Sequence, residues 1–216
     1  MDPKNIISDI KSLKKEHMIS ELKTAFDVIS LKKEVMTHVA SDVQKTKFGY
    51  YIIVIAAIAS FLGTQLFSWY KPSIVGGLIT MVIQAVMMVV GLYVVSYVAK
   101  KFFKGAATHD QFFRVGAYSM ILGWAYIHPT IGMLAGIWGI VVSFVVLKTV
   151  HKLSTGGVIG TWIVTVVLYM VVGALIAMLG LGGLMGGGMA AKSFNYGGMK
   201  INTPNGSIDF NIPNIK

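Results

Sequence analysis

Apolar and polar positions divide this chain into two regimes. Between residues 4 and 46, apolar residues recur at three- and four-residue steps with Lys, Glu and Asp between them. Ile6, Ile10 and Leu13 begin the series, and Ile19, Leu22, Phe26 and Ile29 continue it. That spacing places one residue per turn on one face of a helix. Ser30 can cap a second helical segment, whose stripe is Val35, Met36, Val39 and Val43. Two readings of this amphipathic segment stand: a helical hairpin packed on itself or on the rest of the chain, and an interfacial anchor or partner-docking surface. The lysines do not gather on one clean face, which favours the hairpin.

Beyond residue 47 the alternation gives way to long apolar runs. Residues 48–70 carry no charge across 23 positions, with Tyr50 and Tyr51 at one end and Trp69 and Tyr70 at the other. About 20 residues cross a hydrocarbon core about 30 Å thick, and aromatic residues collect at its two interfaces. The run therefore predicts a transmembrane helix. Lys71-Pro72-Ser73 predicts a tight turn, residues 74–99 a second, antiparallel span, and residues 100–114 (KKFFKGAATHDQFFR) a basic loop.

Residues 115–147 are uncharged for 33 positions, about 50 Å as one helix. His128-Pro129 interrupts the run, and proline disfavours helical geometry in the residue before it. The run is divided into spans at 112–127 and 130–147, with one long kinked helix as the alternative. A second basic loop occupies 148–157, and residues 158–180 form a last span. Six glycines among residues 180–188 read as a linker. In the tail, Ile208, Phe210 and Ile212 alternate after a Pro-Asn-Gly turn, a β-hairpin pattern.

The expected architecture is an all-α polytopic membrane protein with five transmembrane helices, N-terminal amphipathic helices and a short C-terminal β-hairpin-like tail. Its parts are 1–47, a cytoplasmic amphipathic segment; 48–180, the transmembrane domain; and 181–216, a Gly-rich linker and extracytoplasmic hairpin tail.

Composition sharpens this picture. The 216 residues are 55% hydrophobic and 13% charged, with no cysteine and a net charge of +10; the mean hydropathy is +0.69. The missing cysteines exclude disulfides, thiolate metal sites and thiol nucleophiles. The basic surplus does not predict a nucleic-acid partner, because nine lysines in residues 1–47 are nearly balanced by seven acids and no arginine-aromatic patch appears. It lies beside apolar runs, where it attracts anionic lipid headgroups. Lys100, Lys101, Lys104, Arg114, Lys148 and Lys152 are expected to face those headgroups. With five spans, fifteen basic residues fall on the N-terminal side and four on the other. The positive-inside rule then puts the N-terminus in the cytoplasm and the C-terminus outside. Four spans give sixteen against three, so charge orients the N-terminus without choosing the span number.

The apolar runs 48–70, 74–99, 115–147 and 158–180 hold no Asp, Glu, Lys or Arg, which argues against proton- or ion-coupled transport. No catalytic, cofactor-binding or metal-binding residue is expected: none of the five histidines has metal-ligand spacing, and HExxH, Walker and GxSxG patterns are absent. His109, Asp110 and His151 are the only candidates for headgroup chemistry. Gln65 and Gln84 read as inter-helix hydrogen-bonding residues, and Gly132, Gly136 and Gly139 as a close-packing face. These five residues, with Ser96, are also the candidates for lining a pore.

The segments GAATHDQFFRVGAYSM (105–120), GIWGIVVSFVVLKTVHKLSTG (136–156) and LKKEVMTHVASD (31–42) resemble the Yip (Ypt/Rab-interacting protein) domain family of five-span membrane proteins, in a prokaryotic-type form. The resemblance covers roughly residues 30–180. It implies five spans, a cytoplasmic N-terminus, and a role in membrane organisation or vesicle trafficking, where eukaryotic members bind prenylated small GTPases. The Lys-rich N-terminal helices and the β-tail depart from the family pattern. The expected function is a non-enzymatic membrane scaffold or adaptor that allows homo-oligomers and takes a cytoplasmic protein partner through residues 1–47. A small oligomeric channel or transporter with a glycine-lined polar path is the alternative.

Overall fold

The computed structural model describes residues 3–67, 73–178, 199–203 and 206–210. Among these, helices α1 (Pro3–Ile29) and α2 (Lys33–Ser41) form an N-terminal arm. Four further helices follow: α3 (Lys45–Phe67), α4 (Ile74–Phe103), α5 (His109–Ser119) and α6 (Pro129–Val150). A 3-10 helix, Met120–Ile127, continues α5 toward α6, and α7 (Thr155–Met178) ends the helical series. The chain forms two compact units, residues 1–169 and 170–216. In the second, β1 (Met199–Thr203) and β2 (Gly206–Phe210) pair antiparallel, with Ile201 opposite Ile208. The aromatic pair Trp69-Tyr70, the Lys71-Pro72 turn and the linker 180–188 lie outside the described residues.

Four helices among the described residues are long and apolar enough to cross a membrane: α3, α4, α6 and residues Thr155–Leu175 of α7. They mark the chain as a multi-pass integral membrane protein. The segment expected as the span 112–127 differs from these four, since it is α-helical only to Ser119 and 3-10 beyond.

Local chemistry explains the boundaries. His128 takes an extended conformation before Pro129, which occupies the first position of α6 and has no N–H to leave unpaired there. Ser73 caps α4 by accepting from the Gly76 amide. The basic loop is shorter than the sequence pattern suggests: α4 runs to Phe103 and α5 begins at His109. Thr108 and Gln111 form a reciprocal capping box that starts α5, where the sequence reading saw only a loop. Between α1 and α2, Leu31 adopts a left-handed conformation with φ 65°. Lys32, not Ser30, then sits at the N-cap of α2, with no side-chain bond to the helix; its ammonium donates to Asp27 Oδ1 at 2.6 Å instead.

Helix α5 lies at the centre of the first unit's core, and its 3-10 continuation extends it as a rod. Every residue from Phe112 to Tyr118 is buried. Helix α3 runs alongside this rod through small residues seven apart. Gly49 meets Ala117, Ala56 meets Gly123, and Gly63 meets the backbone of Tyr126 and Ile127. A Cβ on Gly49 would lie 2.9 Å from that of Ala117, and one on Gly123 would lie 2.6 Å from that of Ala56. Small side chains let backbones approach where no hydrophobic driving force separates helix from lipid.

This seam generates a test. Gly63→Ala drives a methyl group into the Tyr126 carbonyl and should lower stability by about 1–3 kcal/mol, seen as a lower melting temperature in detergent. Gly156→Ala, with no atom within 4 Å of the new methyl, should leave it unchanged.

Candidate functional site

Two clusters of polar side chains converge at the lysine-rich end of the first unit. The first fastens the arm. Glu21 of α1 is buried, and Lys45 at the start of α3 donates to its Oε1 at 2.6 Å. The Tyr118 hydroxyl donates to the other carboxylate oxygen, while His17 stands 3.9 Å from the acid at the rim. Breaking a buried charge pair strands a desolvated charge, which makes such contacts specific attachments. A second fastening follows from Arg114, whose Nε donates to the Ala40 carbonyl at 3.0 Å, with Nη2 on the same oxygen. Ala40 lies in the last turn of α2, where carbonyls lack helical partners and carry partial negative charge. Trp138 Nε1 completes the attachment by donating to Ile29 O at 2.9 Å.

Arg114 therefore corrects the sequence expectation. Its place among the lysines predicts a headgroup-facing cation, yet it is only 6% exposed, because the C-terminus of α2 supplies its acceptor. Lys100, Lys101, Lys104, Lys148 and Lys152 are exposed.

The second cluster joins three elements. Ser96 Oγ of α4 lies 3.1 Å from His151 Nε2 and 3.1 Å from His109 Nδ1. Of the three residues proposed for headgroup chemistry, His109 and His151 thus share one hydroxyl. Asp110 turns away and accepts from the Tyr93 hydroxyl at 3.0 Å. Ser96 is fully buried and His151 is 1% exposed, with the Phe112 ring 5.0 Å from the imidazole. His151 Nδ1 has no hydrogen-bond partner and faces Gly105, where a Cβ would come within 2.6 Å. Burial, then His109 and Lys100, pushes the His151 pKa down to about 4. Protonation would also place an N–H at Nδ1 with nothing to accept it. The His151 backbone carbonyl in turn accepts from the Ala106 amide at 2.9 Å, which ties the 104–108 loop to the end of α6.

The residues proposed for a pore do not line one path. Gln84 donates to Ser60 Oγ at 3.1 Å across the α3–α4 seam, and Gln65 lies beside Gly77 in the same seam. Gly132 packs against Tyr126. Gly136 and Gly139 instead border a separate cavity of about 640 Å³ between α4, α5, the 3-10 helix, α6 and α7. No group of His and acidic residues among the described residues is arranged to hold a metal ion.

Sequence reasoning missed the clasp because Glu21 and Tyr118 lie 97 positions apart. The local clue is Arg114, set between Phe112-Phe113 and the apolar run that begins at Val115. The chain matches no family model, no curated protein and no solved structure.

Two measurements check these clusters. A double-mutant cycle on Glu21→Gln and Tyr118→Phe should return a coupling of about 1–3 kcal/mol, where independent residues would give none. His151 binds its proton more weakly folded than unfolded, so stability is full above pH 6.5 and falls as pH drops toward 4. Thermal unfolding between pH 7.5 and 4 should show that loss in the native chain and a flatter profile in His151→Gln.

Proposed function

We propose that the chain is a non-enzymatic integral membrane scaffold or adaptor that acts in membrane organisation or trafficking, as its Yip-like motifs suggest. The observation that carries this reading is the clasped arm. Glu21, Arg114 and Trp138 make α1 and α2 a fixed platform against the bundle. On its outer side α1 exposes Met18, Ile19 and Phe26, each more than half exposed, with Lys23 between them. Beside this face is a polar cleft of about 720 Å³ bordered by His17, Glu21, Asp42, Lys45 and Phe48. A rigid, half-apolar surface with a charged cleft suits a protein partner, since a preordered surface loses less entropy on binding.

The non-enzymatic reading draws support from the buried Ser96 and His151, whose hydroxyl and imidazole present no face to a substrate. Against the channel alternative, the two glutamines lie in the α3–α4 seam while the glycine-lined cavity is mostly apolar.

The proposed topology has five spans, a cytoplasmic N-terminus and an extracytoplasmic hairpin tail. Its support is the rod formed by α5 and the 3-10 helix. Eleven α-helical and eight 3-10 residues rise about 32 Å, enough for a hydrocarbon core of about 30 Å. One end sits by Ser96, near the lysines of α4. The other lies where the His128 ring meets Phe67 at 5.0 Å, at the opposite end of α3.

The adaptor reading is tested by quantitative capture from native membranes with wild type, Ile19→Ser and Phe26→Ser. Both substitutions are at exposed positions and should change stability by less than about 0.5 kcal/mol. A partner retained by wild type and lost in both variants is expected. Capture that is indifferent to the arm would remove this reading.

A further inference from the structure

The cavity between α4 and α7 is not explained by an adaptor role. Met88, Leu92 and Val95 of α4, Gly139 of α6, and Trp162 and Val166 of α7 form its walls. From Thr155 to Tyr169, α7 meets the bundle through side chains. Trp162 packs on Phe144 at 5.8 Å, and the Tyr169 hydroxyl reaches Gly91. The space behind these contacts is the cavity, and it opens to the surface where Ile140 and Val166, 58% and 49% exposed, contribute to its lining.

Its lining selects an occupant. On α6 the lining runs from Ala135 to Val146, about 16 Å of helix rise. Along that length the walls are mostly apolar side chains from α4, α6 and α7. A hydrocarbon chain lying along the slot meets apolar side chains on each wall. At bilayer depth the neighbours at the mouth are lipid tails. Toward the lysine-rich end, Trp162 Nε1 donates to Ser143 Oγ at 3.3 Å. One turn above them Lys148, which is exposed, holds its ammonium 5.6 Å from the Phe144 ring centre. The slot is thus mostly apolar, and the Lys148 ammonium, which donates to Thr155 Oγ1 at 3.3 Å, stands beyond its lysine-rich end.

We infer that this slot holds an acyl chain of an anionic phospholipid whose phosphate is met by Lys148. The inference rests on the apolar helices crossing a bilayer and is independent of the adaptor reading. Such a lipid fills the gap that α7 leaves and ties its first half to the bundle. An ammonium near an anionic headgroup favours it over a zwitterionic one by about fivefold, the ratio equivalent to about 1 kcal/mol.

The test uses the full chain in phosphatidylcholine vesicles containing increasing mole fractions of chain-brominated phosphatidylglycerol or chain-brominated phosphatidylcholine. Quenching of Trp162 is taken as the difference between wild type and Trp162→Phe. Saturable quenching is expected, with half-saturation about fivefold lower for the anionic lipid. Gly139→Leu should abolish the saturable phase with circular dichroism unchanged, since a Cβ there finds its nearest neighbour only at 3.9 Å. Lys148→Gln should equalise the two lipids and keep saturation. Quenching that rises in proportion to mole fraction in wild type overturns the site. So does a saturable phase that survives Gly139→Leu. An anionic preference undiminished in Lys148→Gln overturns the headgroup assignment. If Gly139→Leu does not fold, the wild-type titration and the surface variant Lys148→Gln decide alone.

Discussion

The close approach of α3 to the rod formed by α5 and the 3-10 helix is the constraint on which the rest of the first unit depends. Helices in lipid gain nothing from hiding apolar surface, so association rests on contact distance and hydrogen bonds. Gly49, Ala56 and Gly63 remove side chains from one edge of α3 and bring it against Ala117, Gly123 and Tyr126. That alignment sets the height of every group on the rod. It puts Tyr118 beside Phe48, with ring centres 5.8 Å apart, within reach of Glu21. It also brings His109 level with Ser96 and His128 level with Phe67.

The polar chemistry follows from this placement. A rod that carries Arg114, His109 and Tyr118 into a crowded interior needs partners for each, because unpaired polar groups in low dielectric are costly. The arm supplies two of them, the Glu21 carboxylate and the Ala40 carbonyl. Fastening the arm is thus the same event as satisfying the rod. Ser96 satisfies His109 and connects it to His151, which joins the 104–108 loop to the end of α6. An amphipathic N-terminal segment and a bundle of apolar helices become one mechanical unit through a few directional bonds.

The long apolar helices were legible because an uncharged stretch of twenty residues has few other fates. Helix α5 was partly hidden by composition. Its first turn, His109-Asp110-Gln111, reads as loop unless Thr108 is recognised as the start of a capping box. Arg114 was read as a surface cation because its acceptor is 74 positions away, and no local pattern encodes such a distance. The heptad spacing of Gly49, Ala56 and Gly63 is written in the sequence, but an Ala among glycines is a weaker small-residue signal than the three glycines of α6. Of those, Gly132 meets Tyr126 while Gly136 and Gly139 border the cavity. The pairing of Ser96 with His151 joins residues 55 positions apart and needed the α4–α6 arrangement to become visible.

The account stands most directly on the rod that runs beside α3 from one end of the bundle to the other. Because the chain has no cysteine, single cysteines at Ser73, Lys104, His128 and Lys152 can be labelled in sealed vesicles by a reagent that does not cross the membrane. A continuous rod predicts that Ser73→Cys and His128→Cys react from one side, and that Lys104→Cys and Lys152→Cys react from the other. If His128→Cys reacts from the same side as Lys104→Cys, the rod does not traverse the bilayer and the account of how the arm, the rod and α3 are joined is wrong.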